Sequence, residues 1–174
     1  MSRENVSQIY HEGHKALDIT GNKTNFGYGT PLCAPENCTI LGITDTGKLD
    51  DPDELAYGYG VSFKGESGLT YLFWHCLPIF PVWGGDLVSQ GQIIAYMGNA
   101  GNVYQGGQYV PLSERTSKPY KGTHVHVQVE MNGVRIDPLP LIDFSQQPTY
   151  TTLDFMGAYI KILQKQIKLY SRPK

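Results

Sequence analysis

A chain of 174 residues, 40% of them hydrophobic, is long enough to build one compact domain around a buried core. Charged residues are sparse at 17%, the formal net charge is -2, and no basic stripe precedes the last few residues, which excludes an electrostatic footprint for nucleic acid. The most apolar stretch, Leu72 to Trp83, is interrupted by His75, Pro78 and Pro81 and is too short to cross a bilayer, so no integral membrane segment is expected.

From the N-terminus onward, turn residues alternate with short strand-like runs. Residues Met1 to Tyr10 lack the apolar core of a secretory signal peptide, and the chain as it stands is expected to be soluble and unprocessed. The runs are Cys38 to Ile43, Gly60 to Phe63, Thr70 to His75, Gln92 to Met97, His124 to Glu130 and Val134 to Ile136. Each is rich in β-branched or aromatic residues, and the glycines, prolines and asparagines between them mark turns. This pattern predicts an all-β, antiparallel meander or sandwich rather than a helical bundle. Three cysteines, Cys33, Cys38 and Cys76, are too few for a disulfide framework. Cys33 and Cys38 bracket a turn across which they could bond; two small apolar residues in a partly buried strand pair is the favoured alternative.

The longest stretch without a strand signal runs from Gly101 to His124 and is dominated by Gly, Gln, Ser and Lys. A loop of this length inside a compact domain is uncommon and is often functional. It leads directly into the run that begins at His124, so residues Val103 to Pro119 are expected to border a substrate groove, with Tyr104, Tyr109 and Tyr120 available to pack against ligand. After Pro148 the period changes. Leu153, Met156, Ile160, Leu163, Ile167 and Tyr170 form one apolar stripe at helical spacing. Thr151 or Thr152 can cap that amphipathic helix. It is expected to pack on the domain, and its stripe also offers a surface for a partner or a second copy.

Five histidines are present, and the most informative pair is His124 and His126 in Thr-His-Val-His-Val-Gln-Val-Glu. Side chains alternate across a strand, so His124, His126, Gln128 and Glu130 share one face while Val125, Val127 and Val129 bury on the other. Taken alone, H-x-H is no less compatible with a polar, solvent-facing strand. His14 and Asp18, in His-Lys-Ala-Leu-Asp, are four apart and lie on one side of either a strand or a helical turn. Together the two pairs supply the imidazole and carboxylate donors that a catalytic zinc takes, three from the protein with a fourth position left for water. Strand geometry alone does not say which histidine of H-x-H touches metal. His75 sits by itself in Tyr-Leu-Phe-Trp-His-Cys, and His11 reads as a surface residue.

In order along the chain, the motifs resemble those of lysostaphin-type (LytM-like) metallopeptidases. Val-Ser-Gln-Ile-Tyr precedes His14 to Ile19, followed by Gly-Thr-Pro-Leu-Cys-Ala-Pro (29–35) and Cys-Thr-Ile (38–40). Next come the segment ending at His75, Gly-Asp-Leu-Val-Ser-Gln-Gly-Gln-Ile-Ile (85–94) and Gly-Asn-Ala-Gly (98–101). The series closes with His124-Val-His126 and Asn-Gly-Val-Arg-Ile-Asp-Pro (132–138). The resemblance implies one zinc ion per chain held by His14, Asp18 and His126, with His75 and His124 acting on the substrate and the attacking water. It spans Val6 to Pro138 and, with the helical period read after Pro148, gives the expected division into a metallopeptidase domain over residues 1–148 and a helical extension over 149–174.

Several positions depart from the family pattern. Ala16 stands where Gly is usual between His and Asp, Phe73 where Tyr is usual, and Val127 where Phe follows H-x-H. The loop before H-x-H is also long. These changes bear on substrate preference more than on metal binding.

The implied fold is an antiparallel sheet forming the floor of a groove walled by loops. The implied activity is hydrolysis of peptide bonds in bacterial peptidoglycan, outside the cytoplasm, by a secreted, periplasmic or phage-particle protein. A rival is a non-catalytic protein of the same fold, such as a structural component of a phage tail or an activator of another wall hydrolase. Such proteins usually lose ligands, whereas all five positions are filled here. A carbohydrate-binding β-sandwich accounts for the tyrosines but not for the histidines.

Overall fold

Where β-branched and aromatic residues cluster between turns, the computed structural model forms strands; it describes residues 3–21, 26–45 and 57–142. In chain order they are β1 (Val6–Gln8), β2 (Leu17–Ile19), β3 (Pro31–Cys33), β4 (Cys38–Asp45), β5 (Tyr59–Gly65) and β6 (Thr70–Cys76). These are followed by β7 (Leu87–Val88), β8 (Ile93–Tyr96), β9 (Tyr104–Gln105), β10 (Gln108–Tyr109), β11 (Val125–Met131) and β12 (Val134–Ile136). One short helix, α1 (Leu112–Ser117), lies in the long polar loop, together with the β9–β10 hairpin. The amphipathic helix expected over 149–174 lies outside the described residues.

The main sheet has the order β1-β2-β11-β6-β5-β4-β7, with β12 paired to β11, and every pairing is antiparallel. The second layer of a sandwich is reduced to the β3–β8 ribbon, which gives Leu32, Ile94 and Ala95 to the same apolar cluster as Val61, Phe63 and Val127. Val125, Val127 and Val129 are buried as the alternation predicts. The opposite face of β11 is not open to solvent, however: His126 and Gln128 are buried as well. No disulfide joins any two of Cys33, Cys38 and Cys76.

Away from that face, the turn between β3 and β4 is fastened to the β5–β6 turn. The Glu36 carboxylate accepts hydrogen bonds from the Ser67 amide (2.8 Å), the Ser67 hydroxyl (2.6 Å) and the Tyr71 hydroxyl (2.7 Å). Gly65 makes room for it, since a Cβ there would lie 2.2 Å from the carboxylate. Burial alone would raise the Glu36 pKa, but the Ser67 and Tyr71 donors outweigh it and hold the value below normal.

Candidate metal centre

Strand register brings the first residues of the site together. At the middle of β11, His126 is paired with Asp18 of β2 on one side and with Trp74 of β6 on the other. Residues directly opposite across an antiparallel pair project to the same face, so Asp18 and His126 meet without any special loop. His14 enters from the turn before β2, where it exchanges backbone hydrogen bonds with His11. The three donor atoms converge. His14 Nε2 lies 3.2 Å from Asp18 Oδ1 and 3.2 Å from His126 Nδ1, and His126 Nδ1 lies 2.8 Å from Asp18 Oδ1.

That spacing can be tested against a metal. Three ligands about 2.0–2.1 Å from a tetrahedral ion stand roughly 3.3 Å from one another. Two imidazole nitrogens and a carboxylate oxygen at 2.8–3.2 Å fit it in both chemistry and spacing. Burial acts to raise the Asp18 pKa, but the hydrogen bond from His126 and the nearby His124, His126 and His14 rings bring it below the usual value. The carboxylate is therefore held ionised, as a ligand must be. Behind His126, the amide nitrogen of Gln128 lies 3.0 Å from the ring's other nitrogen, Nε2.

His75 reaches this cluster through a break in the alternation of β6. Gly60 of β5 is faced by two residues, Trp74 and His75, because the register passes from Val61↔Phe73 to Tyr59↔Cys76. This is a β-bulge. His75 takes a φ of 61°, a left-handed value that costs a non-glycine residue free energy. Phe73 and Cys76 both join the core, while the His75 ring comes to the site, its centroid 4.6 Å from that of His124 and 5.8 Å from that of His126. Gly60 permits the bulge, since a Cβ there would stand 2.3 Å from the Trp74 ring.

Backbone carbonyls fix the rings of both remaining histidines. His75 Nδ1–H donates to Ala100 O at 2.7 Å and His124 Nδ1–H to Gly122 O at 2.9 Å. In each neutral ring Nε2 is then the lone-pair nitrogen; that of His124 lies 3.7 Å from Asp18 Oδ2. Burial, reinforced by His124 and His126, pushes the His75 pKa well below its ordinary value, and burial lowers that of His124 too. Both are neutral bases near pH 7.

The five residues line one cleft of about 860 Å³, bordered by Gln8, Glu12, Lys15, Arg135 and Tyr57. Of the stretch expected to border it, Tyr104, Gly106 and Gly107 do so, beside Asn102, while residues 108–119 do not line the cleft. Of the three tyrosines expected there only Tyr104 lines the cleft; Tyr109 packs against Tyr104, and Tyr120 stacks on Phe26. Tyr57 was not foreseen from the sequence. Its ring lies 5.2 Å from that of Trp74, 5.8 Å from that of His126 and 6.5 Å from that of His75. No motif surrounds it, and only the fold brings it near the histidines. His11 is exposed, as expected.

The sequence profile described as peptidase family M23 matches residues 12–138. Among solved structures, the chain is similar to LytU, with 23% identity and a TM-score of 0.56 over 79% of this chain and 83% of that one. It is similar to the catalytic domain of the antimicrobial peptidase lysostaphin from Staphylococcus simulans, with 22% identity and a TM-score of 0.50 over 74% of this chain and 77% of that one. It is also similar to a zinc-containing peptidase from Vibrio cholerae, at 16% identity and a TM-score of 0.52, covering 76% of this chain but 35% of that one. At these identities the likeness is one of fold. No curated protein sequence matches the chain.

Proposed function

Because the chain belongs to peptidase family M23, we propose that it is a zinc-dependent endopeptidase that hydrolyses peptide bonds of bacterial peptidoglycan. His14, Asp18 and His126 hold one zinc ion, and His75 and His124 move protons and steady charge. The observation that carries this reading is the convergence of three donors from separate segments, 2.8–3.2 Å apart, beside two imidazoles held by carbonyls at Nδ1. When bound, zinc supplies Lewis acidity that polarises a carbonyl and lowers the pKa of water.

The rest of the chemistry belongs to the chain. An Nε2 lone pair on His124 or His75 accepts the proton that water releases as its oxygen attacks the scissile carbonyl carbon. The C–N bond then breaks, and the same proton passes to the departing amine nitrogen. Until it passes that proton on, the first imidazole is an N–H donor to the developing oxyanion, while the Nε2 lone pair of the second accepts the water's remaining O–H and orients it. Because burial lowers both pKa values, both rings start neutral and each Nε2 lone pair is open to a proton. The cleft runs along a sheet and is walled by the β9–β10 hairpin, a shape that admits an extended peptide.

Such a substrate places the site of action outside the cytoplasm, on the cell wall. Among the described residues no helix is long and apolar enough to cross a membrane. Elemental analysis should find about one zinc per chain, and chelator should abolish lysis of purified peptidoglycan. A protein that lyses sacculi equally well after complete zinc removal overturns the proposal. A chain that keeps zinc yet cuts none of a panel of peptidoglycans of different cross-bridge type is instead a non-catalytic member of the family.

A further inference from the structure

Inside the polar loop, α1 carries an arginine that is only 6% exposed, Arg115. A guanidinium is rarely buried, and when it is, its N–H groups must find acceptors. Arg115 Nη1 donates to two backbone carbonyls, those of Asn99 and, at 2.9 Å, Gly101. The carbonyl between them is that of Ala100, which accepts Nδ1–H of His75 at 2.7 Å. Along this segment alternate carbonyls therefore serve opposite sides: Asn99 and Gly101 face the arginine, and Ala100 faces the histidine.

The same segment is braced at other points. Gly98 O accepts the backbone N–H of His124 at 3.2 Å. The Asn99 side chain donates to Pro119 O and Lys121 O, both at 2.8 Å, tying the segment to the far end of the loop. From the other side Gly58 approaches so closely that a Cβ on it would lie 2.4 Å from the Ala100 carbonyl carbon. Residues 98–101 are thus held between a glycine and a buried cation, and both histidines proposed to move protons lean on them.

We propose that Arg115 is a positioning residue for His75: by pinning the Asn99 and Gly101 carbonyls it fixes the Ala100 carbonyl that holds His75 Nδ1–H. It touches neither substrate nor metal. The inference rests on the role proposed above for His75. It also gives the long loop a task besides bordering the cleft, because the loop supplies the part that sets the histidine's tautomer. Without the guanidinium, the buried Gly101 carbonyl and the part-buried Asn99 carbonyl lose a charged donor and the peptide planes are free to rotate. The His75 ring can then exchange tautomers or turn, and Nε2 is no longer presented as a lone pair.

The test compares R115M with E114A in zinc-loaded protein. Glu114 pairs with the Lys121 side chain on the exposed side of the same loop, so its removal loosens the loop while leaving in place the Lys121 carbonyl that holds Asn99 and the carbonyls of 99–101. For R115M, turnover on sacculi that the wild type lyses should fall about 10- to 100-fold, with zinc content kept and half-saturating sacculus concentration little changed. The ring ¹⁵N resonances of His75, those of an Nδ1–H tautomer in the wild type, should move toward a mixture of tautomers. R115K, which can still donate to a carbonyl, should recover part of both, and E114A should alter neither.

Unchanged turnover in R115M overturns the proposal, as does lost turnover with an unshifted His75 signature or an equal loss in E114A. Should R115M fail to fold, R115Q, neutral and too short to reach both carbonyls, is read by the same two criteria. The ring signature does not depend on activity. Full lysis by H75A would therefore sink the role of His75 while leaving the Arg115–His75 linkage separately measurable.

Discussion

Gln128 is the residue whose replacement tests the metal centre most sharply. Its side chain is 2% exposed and its amide lies 3.0 Å from Nε2 of His126, the nitrogen turned away from the cluster. For Nδ1 to bind metal, Nε2 must carry the proton, so the Gln128 amide, whose nitrogen faces Nε2 in the structure, must turn over to present its carbonyl oxygen as acceptor. In Q128L an apolar side chain of similar size leaves that N–H buried and unpaired. Loss of such an outer partner typically weakens metal affinity about 10- to 100-fold, equivalent to about 1.4–2.8 kcal/mol. The metal-free protein should lose about 1–3 kcal/mol of stability from the unpaired ring nitrogen. Q128E is the complementary variant: a carboxylate can only accept, so it supports an Nε2–H ring and opposes an Nδ1–H ring. Zinc affinity measured by competition with a chromogenic chelator should therefore fall in Q128L and stay near the wild type in Q128E. Wild-type affinity in Q128L, or an equal loss in both, would refute the assignment of Nδ1 as the ligand atom.

Replacing His126 with Ala should lower zinc content and lysis together, whereas H75A and H124A should keep zinc and fold yet lose on the order of a hundred- to ten-thousandfold in turnover. Zinc retained by H126A but lost by H124A would reverse the order within the H-x-H pair. Cutting the β9–β10 hairpin back to a short linker should change which peptidoglycans are cleaved while zinc stoichiometry is kept, as judged by mass analysis of the fragments; an unchanged substrate range and rate would reduce the hairpin to decoration. Because the Glu36 pKa is held low in the folded state, its contribution should be fully present above about pH 4.5 and be lost as the pH falls through the folded value. E36Q should cost about 1 kcal/mol at pH 7 and flatten that acid limb in urea titrations; a limb identical to wild type would show that the Glu36 clasp is not responsible.

The longer strands were legible because each spans enough residues for β-branched and aromatic enrichment to register between turns: β4, β5, β6 and β11 lie within two residues of their expected bounds. Strands β1, β2 and β3 have three residues each, too few for a period to show, whereas β12, equally short, was marked by the Asn132-Gly133 turn that joins it to β11. In β2 all of Leu17, Asp18 and Ile19 are buried, so no polar–apolar alternation marks it. The β9–β10 hairpin did carry a signal. Gly106 and Gly107, both at positive φ, sit between Tyr-Gln and Gln-Tyr, the two-residue turn that a tight hairpin requires. Polar flanking strands obscured it, and α1 begins at Pro111 with no side-chain cap to announce it.

The site divides along the same physical line. His126 was legible from alternation along β11, whereas its pairing with Asp18 across the three-residue β2 was not, and the grouping came from the family resemblance. Nor was His75 legible in this way, because strict alternation from Phe73 would send Trp74 to the site face and His75 to the core. The structure instead puts two residues of β6 opposite Gly60, so that Phe73 and Cys76 both reach the core and the His75 ring joins the other imidazoles. The left-handed backbone at His75 carries a strain of about 1–3 kcal/mol, and three features hold it in place. Gly60 leaves space for the Trp74 ring, Tyr57 O accepts the His75 amide at 3.3 Å, and Ala100 O accepts its side chain. None is adjacent to His75 in sequence, and one depends on a segment clamped by an arginine in the long loop. Local rules fail where distant parts of the chain jointly enforce a conformation the residue would not adopt alone. At this site, that residue is one of the two histidines proposed to move protons.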